Sequence, residues 1–351
     1  MLSFCKSWRP SVFSLALLAL ALFAFLGFAR FPGATLDASP PLAHFQKVST
    51  IQLSGPESFL IAEIEHLDVG PDGQLLVVDL VGEQAFLFDA QGKMLKNLDP
   101  SLCHPGFHFR PKKAVFAEGY IFLLNANPWG YRFKLDGECL GSLDETFHGP
   151  DHFDFDASGD LYGIYERPEG VLLLRHMDPL GKMIDEVELP PSKHPNAESR
   201  MRMGGLFIDG AHIFYASATA QHVLKLTRDG TITATIAHRS EWFRSIKEDL
   251  PATITPDFFK RVGSLFANST LTESIFALSD QHFMVQYRNA GRGFGYQVFT
   301  RDGDFVVEEI GLDFLFLHAE GGLAYRVVQP ELDEQGELPN PYLEVYRFVK
   351  P

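Results

Sequence analysis

From residue 64 onward apolar and polar side chains alternate in short runs, each ending in a tight turn. Alternation with period two, rich in β-branched and aromatic residues, marks half-buried strands. One turn recurs five times: an apolar residue, three further residues, a glycine, and two positions on another apolar residue. The instances are Phe88…Gly92-x-Met94, Phe133…Gly137-x-Cys139, Met177…Gly181-x-Met183, Leu226…Gly230-x-Ile232 and Phe299…Gly303-x-Phe305. Each has a partner turn upstream, at Gly73, Gly119, Gly159, Gly210 and Ser279-Asp280, and a sixth partner lies at Gly321-Gly322. Asp-Gly and Glu-Gly supply the positive φ that tight hairpins need.

The repeating unit is therefore four antiparallel strands. Successive second turns are 45, 44, 49 and 73 residues apart, so the last interval holds an insertion, placed at 240–271. The 308 residues of 44–351, less the 32 of the insertion, leave 46 for each of six units. Four-stranded units of that length, stacked radially, predict an all-β six-bladed propeller. The sixth unit has a first hairpin, a polar loop over 330–341 and a third strand over 342–349, and then the chain ends. Phe45–Leu53 is a strand with no hairpin partner before the first unit. It is assigned as the missing outer strand of blade six, which closes the ring and covers ladder groups that a seam would expose.

The blade pattern resembles the NHL/TolB-like six-bladed β-propellers. The residues that carry it are Leu67-Asp-Val-Gly-Pro-Asp-Gly-Gln-Leu-Leu-Val-Val-Asp79 and Ala85-Phe-Leu-Phe-Asp-Ala-Gln-Gly-Lys-Met-Leu95. The resemblance covers 45–351 and is best in blade one. It implies the fold more than the function, because such propellers serve as scaffolds, ligand binders, lactonases and lyases.

Two segments depart from the pattern. Lys6 and Arg9 precede an uncharged apolar run, Val12 to Ala29. Residues 1–30 are read as a signal peptide or an N-terminal membrane anchor that places the rest on the exported, periplasmic or extracellular side. Residues 31–43 read as a linker. In the insertion, Trp242, Phe243, Ile246 and Leu250 have helical spacing, and Thr255-Pro256-Asp257 is a helix-start signal before Phe258, Phe259, Val262, Leu265 and Phe266. A helical hairpin is expected between blades four and five. It either covers propeller core or presents Trp242, Phe243, Phe258 and Phe259 to a partner. Asn268-Ser-Thr is a glycosylation sequon.

The net charge of −15 becomes −18 without residues 1–30, a surface that repels nucleic acid. Of the three cysteines, Cys139 takes the apolar slot of the repeat and Cys103 a connecting loop, read as lying at opposite ends of one sheet; a bridge between them is not expected.

Innermost strands line the channel of a propeller, and residues at their starts face its mouth. Aligning the blades puts Glu65, His66, Lys112, Lys113, Asp151, His152, Glu273 and Asp313 there. Converging histidines and carboxylates bind polar ligands by charge-assisted hydrogen bonds, or hold a divalent metal. No third histidine completes a zinc set. The His148–Asp156 run, Cys103-His104 with His108, and the basic loop of Lys193, His194, Arg200 and Arg202 are lesser clusters. Asp68 and Asp154 share one repeat position and are read as part of the blade pattern. There is no nucleophile elbow, phosphate loop or HExxH.

No catalytic residue and no cofactor is assigned. The expectation is a monomeric, non-catalytic extracytoplasmic propeller that binds a protein or a small polar ligand, attached to a membrane if its first segment is uncleaved. The alternative is a metal-assisted hydrolase or lyase centred on His66 and His152.

Overall fold

The computed structural model describes residues 42–350, apart from 57–58, 107–108, 126–129, 145–146, 148–151, 168–170, 202, 292 and 333–337. The N-terminal apolar run, His108, His148, Asp151 and Arg202 lie outside the described residues. No helix among the described residues is long and apolar enough to cross a membrane.

Six four-stranded antiparallel sheets form a six-bladed propeller. Their innermost strands are Ile64–Val69, Pro111–Ala117, His152–Phe155, Gly204–Asp209, Leu271–Phe276 and His318–Glu320. Five blades are continuous in sequence. The sixth is completed by Phe45–Gln52, which pairs antiparallel with Tyr342–Phe348 from Phe45 opposite Phe348 to Gln52 opposite Tyr342. Apolar clusters lie between neighbouring blades, for example Phe86, Phe88 and Leu67 of blade one with Tyr325, Leu343 and Val345 of blade six.

The recurrent glycine has a second role beyond its turn. Gly92 has φ +83°, and a Cβ there would sit 2.4 Å from the carbonyl oxygen of Gln52. Its counterparts Gly137, Gly181, Gly230 and Gly303 meet Lys96, Phe147, Val187 and Ile236 respectively, each in the last strand of the preceding blade or just beyond it. Strand twist turns each blade so that the end of one outer strand meets the beginning of the next. At Gly92 only glycine lets the two backbones approach this closely, and at the other four the missing side chain leaves room for a side chain of the preceding blade. Past Gln52, the chain also bridges blade six to blade one: Ser54 N donates to Gly92 O at 2.8 Å and Met94 N to Ser54 O at 2.8 Å. The junction of blades five and six has no such turn. There Ala43 N donates to Glu309 Oε1 at 3.1 Å, and Phe45 packs on Tyr296 and Phe316.

The same twist corrects the cysteine reading. Cys103 and Cys139 form a disulfide with Cα atoms 6.0 Å apart. The outer strand of blade two begins beside Leu98, where the connecting loop that carries Cys103 departs. The bridge spans 36 residues of sequence and removes loop entropy from the unfolded chain, a gain of about 2–4 kcal/mol.

The insertion is half as expected. Helix α2 (Pro256–Asn268) starts at Thr255, whose side chain accepts from Phe258 N. Residues 240–250 are not helical, because tertiary contacts claim them first. Trp242 Nε1 donates to Glu308 at 3.2 Å and its ring meets Phe243 and Tyr287, while Arg244 exchanges hydrogen bonds with Thr270. The basic loop over 190–203 contains a short helix, α1 (Pro195–Met201). Asp249 of the insertion accepts from Asn196 N and Ala197 N at its first turn. Glu198 of this helix is buried and accepts from Ala218 N, Thr219 N, the hydroxyls of Ser217 and Thr219, and the Tyr215 phenol. Loop and insertion are thereby fixed to blade four as one cap.

Candidate functional site

Inner strands bring charged side chains from several blades to the channel. Near the strand starts, Glu65 of blade one is open to channel solvent yet ringed by protein. Burial, with Glu63 and Glu273 nearby, raises its pKa, and Lys112 opposes the rise. Glu273 of blade five is ion-paired to Arg288 of the adjacent strand, and burial raises its pKa despite that partner. The Arg288 guanidinium lies 5.3 Å from the ring centre of Phe266, in the last turn of α2, so the insertion reaches this rim of the mouth.

Deeper lies a set from four blades: His66 and Asp68, Lys113, Asp154 and His318. Asp68 Oδ2 accepts from Phe116 N of blade two at 2.7 Å, and Asp154 Oδ2 accepts from Ile208 N of blade four at 2.8 Å. Each carboxylate thus latches its blade to the next. Burial pushes the pKa of Asp68 up and that of Asp154 to about 6, and Lys113 opposes both rises. Lys113 itself is lowered by burial, against the pull of Asp154 and Asp68. Its ammonium sits 4.0 Å above the Phe153 ring centre and 3.4 Å from Phe153 O. Burial, with Lys113 and His318 nearby, lowers His66 well below the usual histidine range. His66 Nδ1 is buried with no partner among the described residues, and His318 Nδ1 lies 3.5 Å from Asp68 Oδ1. The chemistry offered is hydrogen bonding and charge pairing.

The expected site residues divide. Glu65, His66, Lys113 and Glu273 come together around the channel. His152 begins the inner strand of blade three, with its ring centre 6.3 Å from that of Tyr215; the histidine near His66 is His318. Asp313 is not at a strand start. The inner strand of blade six begins at His318, because Phe314 and Phe316 turn into the core and Phe316 N donates to Gln286 Oε1 at 2.8 Å. Sequence alone does not single out Asp68, Asp154 and His318 as site residues, although a charged residue at one innermost-strand position in two blades is a usable signal. Among the described residues no three His, Cys, Asp or Glu side chains are grouped to hold a metal ion. Of the insertion aromatics, Trp242 is 7% exposed and Phe258 is buried, Phe243 packs on Trp242, and Phe259, 37% exposed, faces outward.

No protein-family model matches the chain, and no curated protein sequence does. The structure is similar to a member of the DUF4221 family from Bacteroides vulgatus, with TM-score 0.55 and 9% identity over 88% of this chain and 99% of that one. It is also similar to a protein from Bacteroides fragilis named as exported, with TM-score 0.52 and 12% identity over 90% and 98%. A streptogramin B lyase follows at TM-score 0.47, with 11% identity over 86% and 98%. The likeness is one of fold. It shows no family, and leaves the NHL/TolB resemblance at the level of the residues that carry it.

Proposed function

We propose that this chain is an extracytoplasmic, non-catalytic binding propeller whose ligand or protein partner engages the channel mouth. The observation that carries the reading is the mixed-charge set converging there. Glu65, Lys112, Glu273 and Arg288 come from three blades, and Lys113, Asp68, Asp154 and two histidines lie beneath them. A rigid ring that holds such groups at fixed separation selects a partner by complementary charge and hydrogen bonding. The exported location is supported by the basic residues ahead of the apolar run and by the Cys103–Cys139 bridge, since disulfides persist in oxidising compartments. A single N-terminal transmembrane helix, if uncleaved, tethers the ring.

Metal content separates this reading from metal-assisted hydrolysis or elimination. The full chain, purified without chelator and dialysed, is expected to hold no stoichiometric zinc, calcium or manganese by elemental analysis. One equivalent of metal that disappears in His66→Ala and His152→Ala would overturn the non-catalytic reading.

A further inference from the structure

Away from the channel, on the outer strands of blade one, lies a cleft of about 280 Å³. One wall is Glu83, Gln84 and Asn97; the other is Asp99, Ser101 and Phe109 of the loop toward blade two. The loop wall is built to stay in place. Asp99 caps the short 3-10 turn Pro100–Leu102 by accepting from Ser101 N at 2.8 Å, and the Cys103–Cys139 bridge ties the next residue to blade two. Arg110 Nε pairs with Glu83 Oε1 at 2.7 Å, and Arg110 N donates to Asn125 Oδ1 at 2.7 Å.

The cleft is lined by both hydrogen-bond donors and acceptors. Asn97 Nδ2 donates to Gln84 Oε1 at 3.2 Å, which orients both amides. Gln84 Nε2 and Ser101 Oγ remain as donors, and Asn97 Oδ1 and Asp99 Oδ2 as acceptors. A hydroxyl both donates and accepts, so a ring bearing several hydroxyls can use donors and acceptors together. Asp99 disfavours an anion, and the charge of Glu83 is balanced by Arg110. Phe109 supplies an apolar surface for the C–H face of a ring, and the volume is at the small end for ligand sites, suited to one ring rather than a chain.

We propose that the rim cleft binds a single neutral sugar ring, a second site independent of the channel mouth. The test is isothermal titration of the full chain with methyl glucoside, methyl galactoside, methyl mannoside and N-acetylglucosamine. At least one is expected to bind. Asn97→Ala and Asp99→Ala should each weaken it about tenfold, the loss of one or two hydrogen bonds. Cys103→Ser with Cys139→Ser should weaken it too, with retained folding checked by circular dichroism. Glu65→Ala at the channel mouth should leave it unchanged. No binding by any of the four sugars, or binding that survives both Asn97→Ala and Asp99→Ala, would overturn the proposal. Failure of this site leaves the channel reading standing, and loss of channel binding leaves this one.

Discussion

Deletion of residues 44–54 is expected to abolish cooperative folding of the whole ring, although the segment lies at one end of the chain. It removes an entire strand of blade six, from the Phe45–Phe348 pair to the Gln52–Tyr342 pair. It strips the buried Phe45 and Leu53 from two different inter-blade cores. It also deletes Ser54, which hydrogen-bonds to the outer hairpin of blade one. Each buried aromatic or aliphatic side chain contributes about 1.5–3 kcal/mol, and unpaired ladder groups add to the loss. The total is comparable to the whole stability of a domain, about 5–15 kcal/mol. Urea unfolding followed by tryptophan fluorescence checks it: the truncated chain should show no cooperative transition. A midpoint equal to that of the intact chain would mean that the strand is an appendage.

Lys113→Met is expected to cost about 1–3 kcal/mol at pH 7, because the half-buried carboxylates near it lose a neighbouring cation. Asp68 and Asp154 would keep their latching bonds to Phe116 N and Ile208 N but lose the cation whose field opposes their burial. The sign of the pH dependence follows from the raised carboxyl pKa of Asp154, about 6 in the folded chain against 3.8 ordinarily. Between these values the folded state holds more protons than the unfolded state, so this residue's contribution to stability falls as pH rises from about 4 to about 6. Without Lys113 the folded pKa rises further, so the variant should recover part of its lost stability on acidification from pH 7 to pH 5. Denaturant melts at the two pH values measure this. A variant equally destabilised at both would show that Lys113 acts by packing over Phe153 alone.

Much of the fold is legible in the sequence because it rests on local periodicity. The five turn glycines, the upstream turns and the unpaired strand at Phe45 are enough to count blades and to find the split one. What was not legible depends on how blades sit against each other. The Cys103–Cys139 bridge follows from strand twist, which carries the start of one outer strand to the end of the last. The first half of the insertion has helical spacing, yet Trp242 is claimed by Glu308 and Tyr287 and the backbone of Arg244 by Thr270. At the channel, the shared repeat position of Asp68 and Asp154 reads as blade pattern rather than as a site. Repetition and burial at the axis turn out to be the same fact, since each carboxylate binds the next blade. His318 is not legible because the phenylalanines ahead of it delay the start of the sixth inner strand.

A charged channel mouth that binds a partner should reveal it in equilibrium binding. Full-length protein is screened by thermal shift against small charged and polar solutes, since a ligand that prefers the folded state raises the melting temperature. At least one hit is expected whose shift is lost in Glu65→Ala and in Glu273→Gln and retained in Asn97→Ala. Hits that all survive both channel substitutions would contradict it.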